Sequence, residues 1–281
     1  RDNAIPTNIN TRTRVIAVGS GKGGVGKSTI STNLAVGLEN LGFTTGLLDA
    51  DIWGFSIPRL LGIEGRLEAN KDKKIVPYKR GGLEVVSTGL ITDDEDTALM
   101  WRGLMLSKAL EQFLFDVEWG NLDYLVIDLP PGTGDIQMAL GRLLPQTELV
   151  VVTTPQLSAQ KVATRVADMA KRSFIPLLGV VENMSYFESG DGNKYNIFGK
   201  GGGDELSEKF GIPLLSKIPI SEDSIEESEN GTPILLQNNK TPTKEAMQDL
   251  VNTIIKVLPP VSDETCTGRL AKVLEELEVE A

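Results

Sequence analysis

The most informative stretch is Val15-Ile-Ala-Val-Gly-Ser-Gly-Lys-Gly-Gly-Val-Gly-Lys-Ser-Thr29, in which an apolar run, a glycine loop and a helical pattern follow one another. The apolar residues 15–18 suit a strand that is buried on both faces. Residues 21–28 fit G-x-x-x-x-G-K-[ST] at every fixed position, and the glycines let backbone N–H groups turn inward around a polyphosphate. The sequence therefore predicts a phosphate-binding loop, in preference to an ordinary glycine-rich turn.

Each residue type in this loop matches one part of a nucleoside triphosphate bound with Mg²⁺. Lys27 would reach the β- and γ-phosphates, and the hydroxyl of Ser28 would ligate the metal ion. The N-terminus of the following helix adds a partial positive charge. We expect nucleotide contacts from the whole phosphate loop, which we define as Gly21, Lys22, Gly23, Gly24, Val25, Gly26, Lys27, Ser28 and Thr29.

The composition excludes several classes of function. The 281 residues include 28 Lys and Arg against 39 Asp and Glu, and the net charge of −11 disfavours broad binding to nucleic acid or anionic lipid. Histidine is absent and Cys266 is the single cysteine, which removes His-based catalysis and intrachain disulfides. No apolar run approaches the roughly 20 residues that span a bilayer. We expect a cytoplasmic protein, with no nucleic-acid or membrane partner.

Alternating strand and helix patterns predict an α/β fold with a doubly wound, mostly parallel sheet flanked by helices. The predicted ATPase domain covers residues 14–260, between a polar N-terminal segment at 1–13 and an acidic tail or helix at 261–281. The chain begins at Arg1 rather than Met, which leaves open a truncated or processed product.

Three aspartates follow predicted buried strands, whose carboxyl ends face the ligand crevice in such sheets. Asp51 is placed to orient a water against the γ-phosphate, while Asp49 would support it or the metal shell. Helix capping is the alternative role of Asp51. Asp128 ends an apolar strand before a Gly/Pro loop and is expected to hold Mg²⁺. The segment at residues 52–58 suggests a mobile switch loop rather than a regular element.

With these motifs in place, the chain resembles the Mrp/ApbC-type P-loop ATPases of iron-sulfur cluster assembly, over roughly residues 12–258. The segments that carry the resemblance are the phosphate loop, Asp49-Ala-Asp-Ile-Trp-Gly-Phe-Ser-Ile-Pro58, Asp128-Leu-Pro-Pro-Gly-Thr-Gly-Asp135, Val181-Glu-Asn-Met-Ser185 and Phe198-Gly-Lys-Gly-Gly-Gly203. The lysine that follows the first loop glycine is typical of the wider family with a deviant Walker A loop, which includes nitrogenase iron protein and the Min and Par ATPases.

The resemblance implies slow ATP hydrolysis by a homodimer that serves iron-sulfur client or scaffold proteins, with ATP and Mg²⁺ as cofactors and Lys22, Lys27 and Asp51 as catalytic residues. In this family the early lysine, here Lys22, reaches the nucleotide of the partner subunit; taken alone, it could be a solvated charge. Asn183 follows a predicted strand and can offer both a donor and an acceptor to an adenine edge, with an asparagine turn as its alternative role.

One departure from the family weakens the expectation of a bound [4Fe-4S] cluster. Many relatives carry Cys-x-x-Cys after the Asn-Met-Ser segment, where this chain has Glu188 and Asp191. Carboxylates are poor substitutes for thiolates on such clusters, and Cys266 lies far away in the C-terminal linker. We expect a spread, mobile loop there without a cluster or tightly held metal, and the pair could simply be solvated charge.

Two other functions remain as alternatives. A Min/Par-like positioning ATPase would normally use a basic anchor, whereas the C-terminal residues 275–280 are acidic. A slow nucleotide-gated binding scaffold would bind ATP but hardly hydrolyse it, so a turnover measurement separates it from the ATPase.

Overall fold

The computed structural model describes residues 9–51, 54, 56–90, 106–132, 134–221 and 230–262. Within them, nine strands form one sheet: β1 Arg14–Ser20, β2 Thr45–Asp49, β3 Tyr78–Arg80, β4 Leu83–Ser87, β5 Tyr124–Asp128, β6 Thr147–Thr153, β7 Leu177–Glu188, β8 Lys194–Tyr195 and β9 Leu214–Ile220. The α-helices are α1 Lys27–Asn40, α2 Ser56–Leu61, α3 Leu106–Phe115, α4 Gly134–Leu143, α5 Leu157–Arg172, α6 Gly202–Phe210 and α7 Pro242–Val257. Short 3-10 helices cover Thr88–Leu90 and Ile234–Leu236.

The strand order β3-β4-β2-β5-β1-β6-β7-β8, with β9 also paired to β7, places β1 near the middle of the sheet. All pairs are parallel except the edge pairs β3–β4 and β7–β8. The chain leaves β1 towards β2 on one side and later passes from β5 to β6 on the other. The carboxyl end of β1 is therefore a topological switch point, where ligands bind in such sheets.

Helices cover both faces of the sheet because residues along each buried strand alternate between two apolar cores. Val15 and Ala17 of β1 pack in the core that helices α3, α4, α5 and α6 cover. Ile16 and Val18 pack on the opposite side against α1, α2 and α7. The predicted doubly wound, mostly parallel α/β fold is confirmed.

One local expectation is wrong in part. The last residues of the segment expected to be a switch loop, 56–58, begin helix α2; Pro58 lies in its first turn, where the missing N–H costs nothing. Residues 52, 53 and 55 of this segment lie outside the described residues. Before β3, Ile75 forms isolated bridges with Ala69 and Val117, and β3 itself begins at Tyr78. Pairing with distant residues, rather than local alternation, decides this edge of the sheet.

None of the described helices combines the length and apolar character required to cross a lipid bilayer. The predicted acidic tail, including Cys266, lies outside the described residues apart from its first positions at 261 and 262.

Candidate functional site

The phosphate loop connects β1 to α1 at the middle of the sheet. Gly26, the residue before α1, has φ 81°, a left-handed conformation that glycine adopts without strain. No side chain in the described residues caps the start of α1, whose first N–H groups are therefore open to an anion. The local geometry is that of a phosphate cradle.

Gly21 explains how the loop stays close to the neighbouring helix α5. A Cβ at this position would lie 2.3 Å from the backbone carbon of Val162 and 2.5 Å from the backbone nitrogen of Ala163. Since backbone atoms cannot move aside as a flexible side chain can, only glycine fits here. The first glycine of the motif thus fixes the distance between the loop and α5.

A compact polar network lies beneath the loop, centred on the fully buried carboxylate of Asp128. The Nζ of Lys27 is 2.8 Å from Oδ2 of Asp128. The hydroxyls of Ser28 and Ser31 donate to the two oxygens of the same carboxylate, at 2.7 and 2.6 Å. Ser28 and Asp128 thus present adjacent oxygen ligands of the kind that Mg²⁺ prefers, so the residues fit the expected metal.

Asp49 lies beside Asp128 because β2 and β5 pair in parallel with these two residues in register. Its carboxylate accepts hydrogen bonds from the hydroxyl of Ser87, at 2.8 Å, and from the backbone N–H of Asp51, at 3.1 Å. Burial and the neighbouring charge of Asp128 raise the pKa of Asp49 to about 7. The raised pKa favours the protonated form of Asp49, and its hydrogen bond from the Asp51 N–H fixes the backbone there.

Asp51 faces an open cavity of about 300 Å³ above the loop. Its Oδ2 is 3.8 Å from Nζ of Lys27. The lining residues come from the phosphate loop and from the chain around α2: Ser20, Lys22, Gly23, Gly24, Gly26, Lys27, Ser28, Thr29, Asp51, Gly54, Ser56, Arg59, Leu60 and Pro131. Asp51 is thus the predicted carboxylate that reaches the cavity wall, whereas Asp49 and Asp128 lie beneath it.

Sequence reasoning missed Ser56 and Arg59 as cavity residues. Both belong to α2: Ser56 lies in the segment that we expected to be a switch loop, and Arg59 directly follows it. The signal that could have identified them is the position of this segment directly after Asp51, which brings it to the same crevice.

Lys22 also lines the cavity, and its ammonium contacts its own chain. Nζ of Lys22 donates to Oε1 of Gln156 at 3.2 Å, at the residue that precedes α5. Gln156 was not singled out from the sequence, because 134 residues separate it from Lys22.

Asn183 lies behind the phosphate loop rather than among the residues that line the cavity. Its Nδ2 donates to the backbone carbonyl of Val25 at 2.9 Å, and the residue is buried in β7. Because Nδ2 of Asn183 is used in this hydrogen bond, the side-chain oxygen Oδ1 is the group that can accept a hydrogen bond from a ligand.

Glu188 and Asp191 lie in a hairpin between β7 and β8, which we call the distal hairpin (residues 186–195). The backbone N–H of Gly192 donates to the carbonyl of Ser189 at 2.8 Å. The carboxylate of Asp191 accepts from Ser189 and Asn193, and these hydrogen bonds lower its pKa. Pairing between the strands closes the turn.

These residues do not fit an iron-sulfur cluster. Oε2 of Glu188 lies 3.6 Å from Nζ of Lys194, and both candidate ligands are hard carboxylates rather than thiolates. Across the described ranges, no three Cys, His, Asp or Glu side chains gather as a metal-binding group.

Comparison with known proteins places this chain in a family of iron-transfer P-loop NTPases. The ParA family model, described as "NUBPL iron-transfer P-loop NTPase", matches residues 11–255. The iron-sulfur cluster carrier protein of Aquifex aeolicus is 46% identical over 246 residues, covering 87% of this chain and 68% of that protein. The carrier protein of Bacillus subtilis is 43% identical over 240 residues, covering 85% of this chain and 67% of that protein.

Solved structures agree on the fold. The nucleotide-binding protein of Archaeoglobus fulgidus, in complex with ADP, shares 38% identity with a TM-score of 0.66, over 78% of this chain and 87% of its own. The septum site-determining protein MinD of Pyrococcus horikoshii, complexed with Mg-ADP, shares 20% identity and a TM-score of 0.66, over 88% of this chain and 98% of its own. At that identity the second likeness shows the fold alone.

The raised pKa of Asp49 predicts a specific pH dependence of stability. A carboxyl whose pKa is higher in the folded than in the unfolded chain stabilises the fold below its unfolded pKa, and this contribution is lost as pH rises through about 7. Without nucleotide or metal, the parent should therefore lose about 2–3 kcal/mol between pH 5 and pH 8 relative to Asp49→Asn. Urea unfolding of both proteins at each pH measures the difference. Parallel pH profiles would show that Asp49 does not titrate in this range.

Proposed function

We propose that this chain, which belongs to the ParA-type family of iron-transfer P-loop NTPases, binds ATP with Mg²⁺, hydrolyses it slowly as a homodimer, and serves iron-sulfur cluster assembly or delivery. The observation that carries the proposal is the convergence of Lys27 and Ser28 on Asp128 beneath an open glycine loop. A P-loop NTPase needs this combination of a phosphate cation, a metal hydroxyl and a strand-end carboxylate.

Nucleotide binding would redistribute the charges of this network. Lys27, which neutralises Asp128 in the free protein, moves its ammonium towards the β- and γ-phosphates. The Ser28 hydroxyl and the Asp128 carboxylate would then be available to hold the Mg²⁺ that accompanies the nucleotide. Bound Mg²⁺ would supply positive charge to the phosphate oxygens.

Asp51 is our candidate for orienting the attacking water. Its carboxylate faces the cavity, and Asp49 orients it by accepting the Asp51 N–H. A group that positions the nucleophile acts mainly in the transition state, so it should affect turnover more than ATP binding.

We propose that Oδ1 of Asn183 gives a preference for ATP over GTP. With Nδ2 donating to Val25, Oδ1 can accept from the 6-amino group of adenine but would oppose the 6-oxo group of guanine. The dimer is proposed from the resemblance and from Lys22, which lines the cavity and would leave Gln156 to reach the nucleotide of a second subunit.

The iron-sulfur role rests on the names of the relatives, which are called iron-sulfur cluster carrier proteins. This sequence contains one cysteine, so it has no Cys-x-x-Cys. We therefore assign the chain a cytoplasmic role with iron-sulfur client or scaffold proteins, without a cluster held at the distal hairpin. A Min/Par-like positioning role gains no comparable support, because the MinD likeness concerns the fold.

The hydrolysis proposal is tested with Asp51→Asn. This variant should keep ATP affinity within about threefold and lose turnover by roughly a hundredfold or more. Asp123→Asn is the matched control. Asp123 directly precedes β5, at the end of the strand away from the site, so this variant should keep both ATP affinity and turnover. Phosphate release and calorimetric binding separate the two quantities. Equal loss of affinity and turnover in Asp51→Asn would indicate a structural role, and a parent that binds ATP without turnover would be a binding scaffold.

Anaerobic reconstitution with iron and sulfide tests the absence of a cluster. We expect no stable four-iron absorption spectrum from the parent, because Glu188 and Asp191 offer hard oxygen ligands. The double variant Glu188→Cys and Asp191→Cys places thiols at the spacing of the relatives and is the positive control. A stable cluster in the parent that disappears in Glu188→Ala or Asp191→Ala would contradict the proposal.

A further inference from the structure

The side chain of Asn183 contacts the phosphate loop on the side away from the cavity. Recognition of an adenine base would not require this contact. Its Nδ2 donates to the Val25 carbonyl at 2.9 Å, and 7% of the residue is exposed. A hydrogen bond this buried would be costly to leave unmade, because the Val25 carbonyl would lose its partner. The contact is therefore part of the loop's own construction.

Gly26, the next loop residue, packs directly on the same amide. A Cβ at Gly26 would lie 2.1 Å from Nδ2 of Asn183, so any side chain there would displace the amide. The Asn183 amide and the Gly26 backbone thus fill one space. The loop and β7 therefore meet at this point with no other side chain between them.

The backbone of β7 departs from regular strand geometry immediately after Asn183. Asn183 pairs with Ile218 and Phe187 pairs with Ile220, so residues 184–186 stand opposite Pro219 alone. Met184 has φ 54°, which costs a residue with a side chain about 1 kcal/mol or more. Bulges of this kind re-aim a side chain. Here the bulge follows the residue whose amide supports the loop.

We propose that Asn183 is a positioning residue for phosphate binding, in addition to any contact with the base; this rests on the ATP site proposed above. In a trans peptide, the Val25 carbonyl and the Gly26 N–H point in opposite directions. Holding the carbonyl towards Asn183 turns the Gly26 N–H towards the cavity, which Gly26 lines. The amide of Asn183 thereby presets one phosphate-binding N–H before a ligand arrives.

A ligand without a base separates this role from adenine recognition. Inorganic tripolyphosphate with Mg²⁺ keeps the phosphates of ATP and lacks both ribose and adenine. We expect Asn183→Ala to weaken tripolyphosphate by about five- to tenfold, the effect of one hydrogen bond, and to weaken ATP by at least as much, because ATP also loses the proposed base contact. Asn183→Leu keeps the buried volume and should show the same loss, which covers the case in which the alanine variant fails to fold.

Ser185→Ala is the matched control, since Ser185 is buried on the same bulge but donates to Glu182 rather than to the loop. It should bind both ligands like the parent, with all variants compared by calorimetry and by melting temperature without ligand. Unchanged tripolyphosphate affinity in both Asn183 variants, with weakened ATP, would overturn the inference and leave a base contact only. If Ser185→Ala lost as much tripolyphosphate affinity as the Asn183 variants, the effect would come from disturbing β7 in general, and the inference would be overturned. If the parent binds neither ligand, the proposed ATP site fails instead.

Discussion

The ion pair between Lys27 and Asp128 is the contact on which the organisation of the site depends. Asp128 is fully buried at the end of β5, and a carboxylate there needs a positive charge and hydrogen-bond donors. Lys27 supplies the charge, while Ser28 and Ser31 supply the donors. Removing one partner of a buried pair typically costs about 3–5 kcal/mol. The free protein thus holds Lys27, the lysine proposed to bind phosphate, against Asp128, the carboxylate proposed to hold Mg²⁺.

The same pair explains how the neighbouring aspartates differ. Asp49 lies in register with Asp128 and receives no comparable cation, so burial and repulsion favour its protonated form. Asp51 lies beyond the strand end and reaches the cavity. Three carboxylates on adjacent strand ends therefore have different environments: Asp128 is paired, Asp49 is buried beside it, and Asp51 faces the cavity. The parallel sheet places Asp49 and Asp128 side by side at the same buried level, whereas Asp51 lies two residues beyond Asp49 at the cavity.

The sequence was sufficient for features that depend on local pattern. The fold follows from strand and helix periodicity, and the family predicted from the motifs at residues 21–29, 49–58 and 128–135 is confirmed by the match over residues 11–255. The roles of Lys22, Asp51 and Asn183 stay predictions. Contacts between distant residues could not be predicted: Gln156 meets Lys22 across 134 positions, and Val25 meets Asn183 across 158. The distal hairpin was also missed, because its closure depends on strand pairing and on Asp191 accepting hydrogen bonds within the turn.

Lys27 and Asp128 stabilise each other in the protein without nucleotide. A double-mutant cycle of unfolding free energies with Lys27→Met, Asp128→Asn and the combined variant measures this coupling most directly. We predict that Lys27→Met alone costs about 3–5 kcal/mol, because it leaves a buried carboxylate uncompensated, and that adding Asp128→Asn recovers much of this loss. Additive effects of the two substitutions would contradict it.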